Sequence, residues 1–302
     1  MNKIAVLLAA YNGSKWIEEQ INSILNQQRV NVTIYVSCDL STDNTLEILN
    51  KYDEKVILLP YGSKFGAAAP NFYRLIKDVD FSTFDYIALS DQDDIWLPTK
   101  LIEGVNKIQK TNSAGYSSNV TAFWDNGIKR TVVKATPQKK YDFLFESPGP
   151  GCSFVITKDL AIDFKNKLIL KESLLKKLDW HDWLIYAFAR SNGYKWYIDK
   201  KSYMLYRQHA SNQLGANSGL KQFNKRVNDI ISGYGINQTV CTIKFCDMEN
   251  NSFVRKWYMK GRKGYLYLMT HSKLCRRRRK DTFLFWISCL IMAIKNIKME
   301  DR

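Results

Sequence analysis

From its third residue the chain alternates short apolar runs with amphipathic stretches of helical period. Ile4 to Ala9 is apolar throughout and predicts a buried first strand. Trp16/Ile17, Ile21 and Ile24/Leu25 then recur at the spacing of a helix lying on a sheet, with Ser14 placed to cap it. Val32 to Ser37 predicts a second strand. Ser41, Thr42 and Asp43 offer caps for a helix through Leu46, Ile48 and Leu49, and Val56 to Leu59 predicts a third strand. Pro70 stands where a first-turn proline belongs for a helix through Phe72, Leu75 and Ile76. Tyr86 to Leu89 predicts a fourth strand, and after Pro98 a helix runs through Leu101, Ile102, Val105 and Ile108. Strand and helix in strict alternation predict an α/β fold with a doubly wound, mostly parallel sheet.

The middle of the chain is less periodic. Val120 to Trp124 reads as a strand and residues 125 to 150 as a polar loop. The segment 147 to 157, SPGPGCSFVIT, sets two prolines and two glycines before an apolar strand, a composition suited to close approach of backbone and ligand. WHDWLIYAFAR, 180 to 190, predicts a buried helix with His181 and Asp182 in its first turn. Tyr197-Ile198 and Tyr203 to Tyr206 predict two short strands, followed by RQHASNQLGA. No repeat or low-complexity linker interrupts this stretch, so the expected organisation is a catalytic domain over 1–216 and a basic, helical region over 217–302.

Charge sharpens that division. The 302 residues carry a formal net charge of +16. Residues 1 to 194 hold 23 Lys and Arg against 22 Asp and Glu, net +1, whereas residues 195 to 302 hold 22 against 7, net +15. Between Arg255 and Lys280 there are 11 basic residues and no acidic one, ending in Arg276-Arg277-Arg278-Arg279-Lys280. The six cysteines show no CxxC spacing in a chain large enough to need no staples, and they read as reduced thiols. The apolar run at the N-terminus lacks a cleavage motif and reads as a core strand, not a signal peptide.

In an open α/β sheet, ligands bind at the carboxyl ends of the strands. Three unusual segments fall there: Tyr11-Asn12-Gly13, Cys38-Asp39-Leu40-Ser41, and Asp91-Gln92-Asp93-Asp94. Carboxylates as crowded as Asp91, Asp93 and Asp94 repel unless a cation sits among them, and a hard divalent ion backed by a diphosphate suits that spacing. The alternative is a turn that closes ahead of a helix. Asp39 lies upstream of the capping residues and is placed to accept a base N–H or bind ribose hydroxyls. Asp182 would favour the helix dipole as a first-turn acid, or, shielded by Trp180, Trp183 and Tyr186, act as a general base. Arg207, Gln208, His209 and Asn212 gather donors and a possible ligand in one loop.

In order and separation, AAYNG, CDLSTDNT, SDQDDIWLPTKL, HDW and YRQHASNQLGA resemble the inverting family 2 glycosyltransferases of the GT-A fold, particularly their bacterial rhamnosyltransferase-like branch. The resemblance spans residues 3 to about 216. It implies that Ala9, Tyr11 and Asp39 hold the nucleoside. It implies further that Asp91 and Asp93 hold diphosphate and Mg²⁺ or Mn²⁺, that His209 approaches the metal, and that Asp182 deprotonates the acceptor hydroxyl. Asp94 and Arg207 would support these groups from behind. The family usually has two acids before Gly-Ser, where this chain has Cys38-Asp39-Leu40-Ser41. The implied reaction is a single displacement from a nucleotide-sugar donor, with inversion. The DQDDIW and YRQH segments incline the donor to dTDP-L-rhamnose and the acceptor to a lipid-linked or polysaccharide precursor of a surface glycan. A UDP-hexose donor, or an inactive GT-A-like membrane scaffold, is the alternative.

The basic region admits three readings. A nucleic-acid site would fit four consecutive arginines, but no nucleic-acid motif accompanies them. The run Phe283 to Ile294 is apolar for 12 residues, short of the roughly 20 that a spanning helix requires. A basic segment ahead of an aromatic-rich apolar one suits an interfacial helix on an anionic membrane surface, and a core helix is the remaining option. The expected location is cytoplasmic, peripheral on the inner face of the cell membrane.

Overall fold

The computed structural model describes residues 1–52, 54–209 and 228–300. At the centre of its sheet, β1 (Asn2–Ala10) pairs in parallel with β2 (Val30–Cys38), and β3 (Val56–Leu58) extends the parallel set beyond β2. On the other side of β1 lies β4 (Tyr86–Ser90), also parallel. The four expected strands are therefore observed, and each pairing among them is parallel. Beyond β4 the sheet turns mixed. β5 (Ile95–Trp96), β6 (Gly115–Phe123), β7 (Lys129–Val132), β8 (Val155–Thr157) and β9 (Trp196–Arg207) complete the order β3-β2-β1-β4-β8-β6-β9-β5, with β7 paired to β6. β8 runs antiparallel to both β4 and β6, and β9 runs parallel to β6. Antiparallel neighbours require no crossover helix, and the polar stretch before β8 supplies none.

Helices cover both faces. The alternate residues Ile4, Val6, Leu8 and Ala10 of β1 pack with Ile17, Ile21 and Ile24 of α1 (Ile17–Leu25) and with Leu101, Val105 and Ile108 of α4 (Lys100–Thr111). The short α2 (Thr45–Leu49) follows β2. Against the other face lie α3 (Ala68–Asp78), α5 (Lys158–Leu170) and α7 (His181–Ser191). This period-2 partition of one strand between two helical layers is what a run of consecutive apolar residues encodes.

Several expectations change in detail. Ser14 does not cap α1: the helix begins at Ile17, and the Ser14 N–H donates to Asp43 Oδ2 (3.0 Å), tying two loops together. β6 begins five residues ahead of the expected strand, at Gly115, because Ser117, Ser118 and Asn119 are buried polar residues that an apolar pattern cannot reveal. The expected loop over 125–150 contains β7 and a 3₁₀ turn at Asp142–Leu144. The two short strands near 197 and 203 are one strand, β9, carrying a register shift opposite Ser118 and Asn119.

By spatial clustering the chain divides into two compact units, one of 1–135, 148–172 and 180–215, the other of 136–147, 173–179 and 216–302. The short α6 (Glu172–Leu175) lies where the chain passes from one to the other. The second unit is helical, with α8 (Tyr234–Phe245), α9 (Gly261–Thr270), α10 (Ser272–Cys275) and α11 (Arg279–Ile294). Its core holds Trp257, Tyr265, Leu268 and Phe245, and Tyr141 stacks on Phe253 at 3.9 Å between ring centroids. Arg277 is enclosed there, within 3.5 Å of both Asp142 Oδ2 and Glu146 Oε1, and donates to the Ser147 carbonyl (2.5 Å). Arg276 donates to the carbonyl of Phe145 (2.6 Å). α11 buries only Cys289, Met292 and Ala293, while Phe283 (62%), Leu284 (40%), Trp286 (37%) and Ile294 (69%) stay exposed. Among the described residues no helix is long and apolar enough to cross a membrane.

Candidate active site

The strand register brings the three unusual segments to one edge. Ala10 lies opposite Cys38, and Ser90 opposite Leu8, so Tyr11, Asp39 and Asp91 leave the sheet together. Asn12 adopts a left-handed φ of 47°, a conformation asparagine tolerates better than most residues. Its Oδ1 accepts the Thr42 N–H (2.8 Å), its own N–H donates to Ser41 Oγ (3.0 Å), and the Gly13 N–H donates to Thr45 Oγ1 (2.7 Å). The amide of Gln92 then grips the backbone of Tyr11 twice, accepting its N–H and donating to its carbonyl, each at 2.7 Å. A Cβ at position 13 would collide with that amide, which accounts for Gly13.

Asp39 is 4% exposed. Its carboxylate accepts the N–H groups of Leu40 (2.8 Å), Phe65 (2.8 Å) and Gly66 (2.7 Å), so it fixes the 65–66 turn. A carboxylate has about four lone-pair positions, which leaves one acceptor site for a ligand.

In the acidic segment the three carboxylates have different surroundings. Asp93 Oδ2 faces His209 Nε2 at 2.7 Å, and the His209 ring stacks on Trp16 with centroids 4.1 Å apart. Asp94 is fully buried. Its Oδ1 accepts the Arg207 N–H (3.2 Å), whereas Oδ2 has no hydrogen-bond partner of good geometry and lies near Cys152. Arg207 also donates from Nε to the Asp93 carbonyl (2.9 Å) and forms an ion pair with Glu19. Ligand atoms of Asp91, Asp94 and Cys152 lie within 4.8 Å of one another, a cluster able to hold a metal.

Burial, with Asp93 and Asp182 nearby, pushes the Asp91 carboxyl up to about 7. Burial, with Asp93 and Asp91 adding repulsion, raises Asp94 well above the ordinary range, and the Cys152 thiol likewise. Behind them Lys100 is buried, its Nζ 3.5 Å from the Trp96 ring centroid and without a hydrogen-bond partner, and burial pulls it down to about 7. Burial is the first cause of each of these shifts; for Asp91 and Asp94 the neighbouring carboxylates add to it, a repulsion that a bound cation would relieve.

Asp182 opens α7 as expected, half-buried, with Oδ1 accepting the Trp183 N–H (2.7 Å). It lies near enough to Asp91 to raise that group. His181 beside it stacks on Phe72 (4.0 Å), its Nε2 is buried without a partner, and burial lowers its pKa to about 4. A Cβ on Gly151 would come within 2.6 Å of that nitrogen. The glycine-rich segment 147–153 thus approaches the histidine of the HDW motif.

The structure brings together Ala9, Tyr11, Asp91, Asp93, Asp94, Arg207 and His209, and sets Asp182 within electrostatic reach. Asn212 and the rest of the RQHASNQLGA loop beyond His209 lie outside the described residues. Gln92, Cys152, Lys100 and Glu19 are participants that sequence reasoning missed. Gln92 carried a signal as an amide placed between acids, and Cys152 lies in the proline- and glycine-rich segment 147–157 that the sequence marks.

Residues 5–168 match Glycosyl transferase family 2. The chain is 42% identical over 294 residues to the dTDP-rhamnosyl transferase RfbG of Shigella flexneri, covering 96% of this chain and 100% of that one. It is 29% identical over 184 residues to the Escherichia coli UDP-Glc:alpha-D-GlcNAc-diphosphoundecaprenol beta-1,3-glucosyltransferase WfgD, covering 60% and 68%. In fold it is similar to S. aureus TarS 1-349 in complex with UDP, at a TM-score of 0.55 and 17% identity over 97% of this chain and 88% of that one.

Proposed function

Because the chain belongs to glycosyl transferase family 2, we propose that it moves L-rhamnose from dTDP-L-rhamnose, with inversion, to a lipid-linked or polysaccharide acceptor in bacterial surface glycan synthesis. The donor reading is supported by the rhamnosyl transferase relative, whose full length this chain covers. The lipid-linked acceptor is supported by the diphosphoundecaprenol named for a second relative.

The observation that carries the chemistry is the facing pair Asp93 Oδ2 and His209 Nε2, with Asp91 beside it at the carboxyl edge of the sheet. The carboxylate oxygens in that arrangement fit Mg²⁺ or Mn²⁺, and an imidazole beside them favours Mn²⁺ over the oxygen-preferring Mg²⁺. Asp94 and Cys152 suit it less: both are fully enclosed, burial pushes both groups up, and a thiol is a poor ligand for a hard ion. When bound, such an ion neutralises the diphosphate and so stabilises the leaving group. Ala9 and Tyr11 line the nucleoside, and Asp39 shapes its pocket through the 65–66 turn. Asp182 accepts the proton of the acceptor hydroxyl as that oxygen bonds to the anomeric carbon and the bond to the nucleoside diphosphate breaks. Arg207 holds the acidic loop from behind through the Asp93 carbonyl and the Asp94 carboxyl. Residues 1–216 form the catalytic part in this reading. Residues 217–302 hold the enzyme to the inner face of the cell membrane, using the exposed apolar face of α11 and its basic approach.

The test is a donor screen: product formation and thermal shift with dTDP-rhamnose, UDP-glucose, UDP-galactose and UDP-GlcNAc, with Mn²⁺ or with a chelator. The expected result is Mn²⁺-dependent turnover of dTDP-rhamnose alone. Preference for a UDP-sugar would overturn the donor assignment, and full turnover in chelator would overturn the metal assignment.

A further inference from the structure

The helical unit contains a cavity of about 640 Å³ whose lining includes Lys139, Lys273, Arg277, Arg279, Phe283 and Trp286, within the size range of small-molecule sites. Two faces of α11 explain its composition. Phe285, Cys289 and Met292 follow one another at helical spacing on the inward face, where Phe285 meets Phe145 edge-on at 4.9 Å. Arg279, Phe283 and Trp286 follow the same spacing on the opposite face and line the cavity instead of a core. Arg277 forms its wall, already neutralised by Asp142 and Glu146. Lys273 and Arg279 are exposed, and neither makes an ion pair among the described residues.

Lys273 and Arg279, beside exposed aromatic and aliphatic side chains of one helix, match a ligand that is anionic at one end and apolar at the other. A free phosphate would leave Phe283, Leu284 and Trp286 in water. We propose that this cavity binds the phosphate or diphosphate headgroup of a membrane-borne lipid, the hydrocarbon lying along the exposed apolar face of α11. The proposal deepens the membrane reading above and rests on it. It differs from general attraction to an anionic surface in one respect: position matters as well as charge. Lys273 and Arg279 line the cavity, whereas Arg278 and Lys280, also exposed, do not.

The experiment uses full-length protein and flotation with phosphatidylcholine vesicles containing a few mole per cent of a polyprenyl phosphate. The double variant K273Q/R279Q is expected to bind these vesicles about thirtyfold more weakly, a loss on the order of 2 kcal/mol for two basic residues. R278Q/K280Q should stay within about threefold of the wild type. On vesicles of phosphatidylcholine and phosphatidylglycerol, where attraction is diffuse, both variants should lose equally. Equal losses on the polyprenyl phosphate vesicles would overturn the proposal. So would inorganic pyrophosphate binding, by calorimetry, as tightly as the lipid. If the wild type floats with no vesicle, the membrane reading fails by itself, and calorimetry with geranyl diphosphate in solution decides the cavity. Binding that is lost in K273Q/R279Q sustains it; no binding overturns it. Both substituted positions are exposed, and a thermal melt matching the wild type, or the single variant R279Q, separates lost binding from lost fold.

Discussion

In the sheet unit, Asp93 meets His209, Asp94 accepts the Arg207 backbone N–H and lies with Asp91 near Cys152, buried Lys100 stands behind, and the Arg207 guanidinium pairs with Glu19. In the helical unit, Arg276 and Arg277 turn inward to Asp142, Glu146 and two backbone carbonyls, while Arg278, Arg279 and Lys280 remain exposed. The acidic cluster is enclosed with little opposing charge beside it, an arrangement able to hold a cation. The basic run is divided, with its inner pair spent on structure and the surplus left for a partner. A dense run of like charge in a sequence can thus mean a ligand site, an internal ion pair, or both side by side. Only the partners of each residue separate these cases.

Four measurements would break or sharpen that contrast. The largest effect is expected for Asp182→Asn, which would remove the proposed general base while keeping shape. Turnover should fall by about a thousandfold with donor affinity unchanged, and a loss of donor binding of similar size would move Asp182 out of the base role. Arg277→Met should cost about 3 kcal/mol in denaturant unfolding because it removes the guanidinium that lies within 3.5 Å of the enclosed Asp142 and Glu146. Arg279→Met should stay within about 0.5 kcal/mol, and equal costs would erase the distinction between the inner and outer arginines. Asp93→Asn should lower turnover on the order of a hundredfold and raise the Mn²⁺ needed for half-activation. An unchanged Mn²⁺ requirement would shift the metal to the Asp91, Asp94 and Cys152 cluster.

The smallest effect concerns pH. The folded-state pKa of Asp91 is raised from 3.8 to about 7, so between these values the folded protein holds a proton that the unfolded chain has released. Its contribution to stability is therefore fully present below the unfolded value and is lost as pH rises through the folded one. In chelator, the wild type should melt progressively earlier relative to Asp91→Asn from about pH 4 to about pH 8, and Mn²⁺ near neutral pH should restore it. Parallel curves for the two proteins would mean that the carboxylate is not under strain.

Much of the first hundred residues was legible because their strands are apolar on both faces and their helices are amphipathic, so period and burial coincide. β6 was misplaced because its buried start is Ser117, Ser118 and Asn119, whose hydroxyls and amide are satisfied by the Pro148 and Lys200 carbonyls and by one another's backbone. β9 was broken in two by Asp199, Lys200 and Lys201 at its register shift. At the site, the acids and His209 could be listed as candidates from residue type. That Asp93 faces His209 while Asp94 faces Cys152 depends on side chains more than fifty positions apart in sequence, which no local pattern encodes. The basic run was legible as charge only, because the inward turn of Arg277 depends on two acids more than a hundred residues upstream.

The Gln92 amide holds the Tyr11 backbone by one donated and one accepted hydrogen bond, which is the pairing a peptide group of a neighbouring strand would offer. A side chain here stands in for one more rung of the ladder between β1 and β4, past the point where both strands have ended. The glycine at position 13 is the clearance that this rung requires. The two loops at the lip of the sheet are thereby fastened as one mechanical piece. A ligand reaching the carboxyl edge of the sheet would meet these two loops as one surface, held by the Gln92 amide.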